Sequence, residues 1–115
     1  MGAAEVGRLE TVEANLSRAV EKAKAELKRL IERRDALKRD IERLKKNVAR
    51  LEARGPRVVA LNEYKSLRAE VLQSYKTLAT TELAIINTRK NLESTCRDLK
   101  STQEQLRSLR KSRSS

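Results

Sequence analysis

The 115-residue sequence has no histidine, phenylalanine or tryptophan; Tyr64 and Tyr75 are its only aromatics, Cys96 its only cysteine and Pro56 its only proline. Each shortage excludes something. Without histidine there is no imidazole base, no histidine metal ligand and none of the usual zinc sites. A single cysteine forms no disulfide within the chain, which suits a reducing compartment. Lacking a histidine partner, Cys96 is a poor nucleophile; it stands at the margin of an apolar stripe and reads as a packed or idle thiol. Gly2, Gly7 and Gly55 are isolated, so no glycine-rich phosphate loop exists. No apolar run is long enough to span a bilayer, and Met1-Gly2-Ala3-Ala4-Glu5 opens neither a signal peptide nor a myristoylation motif. These gaps argue against an enzyme, a cofactor, a metal and a membrane partner. They point to an intracellular chain, in the cytoplasmic cytoskeleton or the nucleus.

What the chain does have is charge and small-to-medium apolar residues, at 37% and 38%. Too few bulky side chains are present to fill a compact three-dimensional core. The choice lies between disorder and long helices burying a narrow stripe, and periodicity decides it. Leu9, Leu16, Ala23, Leu30, Leu37, Leu44 and Leu51 recur every seven residues. Four positions out of step run Val6, Glu13, Val20, Leu27, Arg34, Ile41 and Val48. Together they make an a/d heptad pattern with Leu at d, the mark of a coiled coil. At the polar a positions, Glu13 and Arg34, the stems are expected to pack while the heads reach water.

Arg54-Gly55-Pro56-Arg57 then breaks the pattern. Glycine readily takes the left-handed conformation that ends a helix, and proline cannot continue one but is pre-set to begin the next. Beyond it, Tyr64, Val71, Leu78, Ile85, Leu92, Leu99 and Leu106 recur at seven, with Leu67, Ser74, Thr81, Thr88, Thr95, Thr102 and Leu109 three residues on. This second seam is more polar, and Leu61, Leu72, Leu83 and Ile86 are expected to widen its apolar face.

The expected fold is all-α: a coiled-coil helix at 1–54, a turn at 55–57, a second coiled-coil helix at 58–109 and a basic Ser/Arg tail at 110–115. Two arms of about 75 Å each at 1.5 Å per residue, joined by a short turn, favour an antiparallel helical hairpin. Folding about Gly55-Pro56 sets Leu51 against Leu61, Val48 against Tyr64, Ile41 against Val71 and Val6 against Leu106. The alternative is a parallel dimeric coiled coil, but it would place Arg33 by Lys38 and Glu5 by Glu10 across the interface.

The charge is one-sided, with 27 basic and 16 acidic residues for a net +11. Between residues 28 and 54 there are eleven basic and five acidic side chains. Arg39, Arg43, Lys46, Arg50 and Arg54 follow at three- and four-residue steps, most at outward c and f positions, and so stack on one helix face. Arg29 continues that face and Arg57 lies past the turn. This ridge is the candidate binding site for an anionic partner. A secondary candidate is the tail, where residues 105–115 carry Arg107, Arg110, Lys111 and Arg113 with no acid among them and adjacent serines would allow phosphorylation to cancel charge. An uncompensated excess of this size costs self-repulsion, which a purely solubilising surface has no reason to carry.

In its heptads from Leu9 to Leu51 and its basic ridge from Arg29 to Arg57, the chain resembles the basic coiled-coil segments of microtubule-binding kinetochore and ciliary proteins. The resemblance covers most of the chain but rests on no residue motif, so no family site residues carry over. It implies a microtubule or tubulin partner. Two other readings compete: nonspecific nucleic-acid binding, and a structural or oligomerisation scaffold, as a homodimer or with another coiled coil docking on the Thr-rich side of the second helix.

Overall fold

The computed structural model describes residues 2–114, with the side chains of 113 and 114 excepted. It contains two long helices, α1 (Gly2–Glu52) and α2 (Asn62–Ser114), joined by a short 3₁₀ helix at Pro56–Ala60, and no strand among the described residues. The heptads account for both helices, and only a glycine–proline pair interrupts them. Glu5 and Glu63 in the first turns, with Arg50 in the last turn of α1, complement the helix dipoles.

The chain divides into two compact units. One comprises Met1–Lys28 with Ile86–Ser115. In it Val6 and Leu9 of α1 pack on Leu106, which is only 1% exposed, and Leu109 joins the cluster. Arg110 Nη2 donates to Glu10 Oε2 at 3.4 Å. The beginning of α1 therefore lies antiparallel to the end of α2. The chain supplies both halves of the seam itself, as an antiparallel helical hairpin and not a parallel dimer. Val20, Ala23 and Thr102 are buried, and Leu16, Leu27, Leu92, Thr95 and Leu99 are half-buried, all at a or d positions.

The other unit, Arg29–Ile85, contains the turn. Here Leu30, Ile41, Leu44, Val48 and Leu51 of α1 are buried, with Thr81 and Ile85 of α2. Each large aliphatic side chain so buried contributes about 1.5–3 kcal/mol of transfer free energy. The polar a residue Arg34 is half-buried, and its Nε donates to Asp35 Oδ1 at 3.1 Å, so its head stays at the surface. The buried threonines need no partner on α1. Thr81 Oγ1 donates to the Thr77 carbonyl at 2.8 Å and, in the first unit, Thr102 Oγ1 to the Asp98 carbonyl at 3.0 Å. Such back-bonding satisfies the hydroxyl inside its own helix and leaves the methyl for packing.

The connection is longer than the expected three-residue turn. Arg54 N–H donates to the Leu51 carbonyl and Gly55 N–H to that of Glu52. Gly55 then takes φ 115°, ψ 174°. Pro56 opens the 3₁₀ helix, and Leu61 is extended before α2 begins at Asn62. This inserted turn moves the first apolar contact: Val58 is buried, whereas Leu61, expected opposite Leu51, is 44% exposed. At the other end α2 continues to Ser114, so the expected tail at 110–115 is helical through that residue.

Candidate anion-binding surface

Helix periodicity places every third or fourth residue of α1 on one side, and the basic ridge is built by that rule alone. Arg39, Arg43, Lys46 and Arg50 share an open surface groove of about 450 Å³, together with Lys38, Glu42 and Asn47. All four basic residues are exposed, as Leu44, Val48 and Leu51 turn inward. Of the nearby acids, Asp40 Oδ1 lies 4.0 Å from Arg43 Nη2 with both side chains mostly exposed, a pairing worth little in water. Asp35, four residues before Arg39, accepts from Arg34. Between residues 38 and 50 six basic side chains thus stand against Asp40 and Glu42. From Arg39 to Arg50 the ridge spans about 16 Å of helix axis.

Three further expected residues are exposed but do not line this groove. Arg29 lines another groove, with Arg33 of α1 and Gln73, Lys76, Thr77 and Thr80 of α2. Arg54 is set with Arg50 in a groove that also holds Glu63 and Glu70, so acidic groups on α2 temper its charge. Arg57 is carried on the 3₁₀ helix beyond the turn. In the other unit, Arg107 and Arg110 border a groove with Glu13 and Gln103, and Arg110 also meets Glu10. Lys111 is exposed, and the Arg113 side chain lies outside the described residues. Arg107 and Arg110 therefore face acids of α1, which the sequence order of the tail does not reveal.

Two features went unrecognised in the sequence. Lys38 belongs to the ridge groove, a membership the i,i+4 steps from Lys38 through Glu42 to Lys46 would have given. Arg33 and Lys76 come together across the two helices beside Thr77 and Thr80, and only the hairpin register could have disclosed it. Cys96, expected at the margin of the seam, is exposed. Leu72, Leu83 and Ile86 do not widen the core either; they are 57%, 57% and 48% exposed. A two-helix seam is filled by its a and d positions, and these three fall at b and f, which turn away from the partner.

Among the described residues one ionisable group is clearly perturbed. The Lys45 ammonium is held above the ordinary lysine value, chiefly by a hydrogen bond and electrostatic attraction to Tyr75, with desolvation opposing and Glu42 adding to it. Its Nζ stands 5.4 Å from the Tyr75 ring centroid, within cation–π range. Among the described residues no group of three or more His, Cys, Asp or Glu could hold a metal ion, and no helix is long and apolar enough to cross a membrane. Chemically, the ridge offers fixed cations on a rigid support and little else.

The fold and this surface define a class, a helical-hairpin coiled coil with a basic outer face. Comparisons with protein-family models, characterised proteins and solved structures return no match.

Proposed function

We propose that this hairpin is a non-catalytic binding module for an acidic polymer, with the microtubule surface as the leading partner and cytoskeletal or kinetochore attachment as the role. The observation that carries the reading is the shared groove of Arg39, Arg43, Lys46 and Arg50 on the outward face of α1. A coiled coil holds these charges at fixed spacing without using them for its own folding. Attraction to the acidic tubulin tails requires no pocket, and it is screened over a Debye length of about 8–10 Å at physiological salt. Duplex nucleic acid offers phosphates to the same ridge, and partner choice rests on the experiment.

The test is co-sedimentation with taxane-stabilised microtubules over a salt series, before and after subtilisin removes the acidic tails. Binding is expected to weaken with salt and with tail removal. R39E/R43E/K46E/R50E should abolish pelleting while circular dichroism still reports the full helix content. Pelleting that survives these changes removes the ridge from the site. If the native protein does not pellet at low salt, the microtubule reading is wrong, and retardation of duplex DNA at the same salt would establish the other polyanion.

A further inference from the structure

A second apolar stripe runs along α2 outside the hairpin seam. Leu72, Tyr75, Ala79 and Leu83 follow at steps of three, four and four, which places them on one helix face. Leu72 and Leu83 are 57% exposed and Tyr75 41%. Single exposed leucines are ordinary on protein surfaces, but a helically spaced row is the pattern of a helix that packs on two sides. The stripe also has a receptive edge. Beside it lies an open groove of about 590 Å³, where Val48 of α1 meets Val71, Leu72 and Tyr75 of α2, with Lys45 and Arg68 among its lining. Lys45 lies over the Tyr75 ring, and Arg68 lies 5.9 Å from that of Tyr64, so both cations are held against the aromatic groups of this region.

The charges around the stripe select the occupant. Lys45 and Arg68 line its groove with Glu52, and Glu42 acts on Lys45; helical spacing puts Lys65 and Lys76 on the same side of α2 and Glu82 at its edge. A second copy of this chain would bring the same four cations against one another. An acidic helix would meet them with opposite charge, while its apolar residues covered Leu72, Tyr75 and Leu83. The stripe's helical spacing suits a helix laid alongside, with ridges of three and four interleaved, better than an extended peptide. We propose that this face of α2 docks an acidic amphipathic helix of another protein, turning the two-helix coil locally into a three-helix one. The proposal does not depend on the ridge of α1.

The probe is a fluorescein-labelled three-heptad peptide with Leu at a and d and Glu at most other positions, titrated against the full chain by fluorescence anisotropy. A lysine-rich peptide of the same apolar pattern serves as its counterpart. The glutamate peptide should bind more tightly than the lysine peptide. L72S/L83S, which changes no charge and replaces no buried residue, should weaken it at least about tenfold, equivalent to about 1.4 kcal/mol, with only a small shift in the thermal melt. R39E/R43E/K46E/R50E should leave most of the affinity in place. Failure of the glutamate peptide to bind, equal binding of the two peptides, or L72S/L83S binding like the native chain would each overturn the proposal. So would a dimer of the native chain in sedimentation equilibrium that L72S/L83S abolishes, which would make a second copy the occupant.

Discussion

Gly55→Ala separates backbone conformation from every other contribution at the turn. Gly55 has φ 115° and ψ 174°, a region that is essentially glycine-only, where another residue costs about 1–3 kcal/mol. A Cβ added there would meet nothing within 4 Å, so no clash contributes to the cost. Alanine also narrows the unfolded ensemble, an effect worth about 0.4–1 kcal/mol in the opposite direction. The net loss should be about 0.5–2 kcal/mol, or roughly 2–8 °C in Tm at about 4 °C per kcal/mol. Gly7→Ala supplies the control. Gly7 lies inside α1 and a Cβ there also meets nothing within 4 Å. Its conformation is helical, so the same chemical change should stabilise by about 0.5–1 kcal/mol. Melting by far-UV circular dichroism, repeated at several protein concentrations, reads both variants. Opposite signs are expected. A neutral or stabilising Gly55→Ala would refute the claim that the turn needs glycine's backbone freedom.

Leu106→Ala should cost about 2–5 kcal/mol, since that side chain is 1% exposed, whereas Leu83→Ala on the open stripe should stay within about 0.5 kcal/mol; urea titrations compare them. The Lys45–Tyr75 contact has a definite pH signature. Because the folded ammonium is held above the ordinary lysine value, its contribution is fully present at neutral pH and is lost as the pH rises through that raised value. Melts taken from neutral into alkaline solution should therefore fall less for Tyr75→Phe, which keeps the ring and removes the hydroxyl, than for the native chain; equal falls would mean the hydroxyl has no part in it.

The seam was legible in the sequence because a seven-residue repeat in a helix has one geometric meaning. Val6, Leu9, Ile41, Leu44, Val48 and Leu51 are all buried where the repeat placed them, and Val6 meets Leu106 as the fold about Gly55-Pro56 required. The details of the turn were less legible. Pro56 has a backbone compatible with an α-helical or a 3₁₀ start, and choosing the latter moved burial from Leu61 to Val58. The stripe of Leu72 and Leu83 was misassigned because apolar residues beside a seam look alike whether they widen the core or leave it. Only the number of packed helices separates the two cases. For the ridge, step spacing along α1 grouped Arg39, Arg43, Lys46 and Arg50 correctly. It could not show that Arg54 sits with Glu63 and Glu70, because those carboxylates come from the other helix.

The threonines of α2 carry a consequence for alignment. Thr81, Thr95 and Thr102 each give their hydroxyl proton to a carbonyl four residues back in α2. From the side of α1 they present a methyl group and no directional demand. Such positions act as a smooth rail: moving α2 by one heptad in either direction would bring another threonine into two of the three slots and break none of these three bonds. Matching of side-chain size can reject half-steps but is a poor judge of whole ones. The task of counting residues falls to the turn, where Gly55, the 3₁₀ helix and the buried Val58 fix the loop. The turn is the clasp that sets the ruler, and the seam only keeps the two edges together.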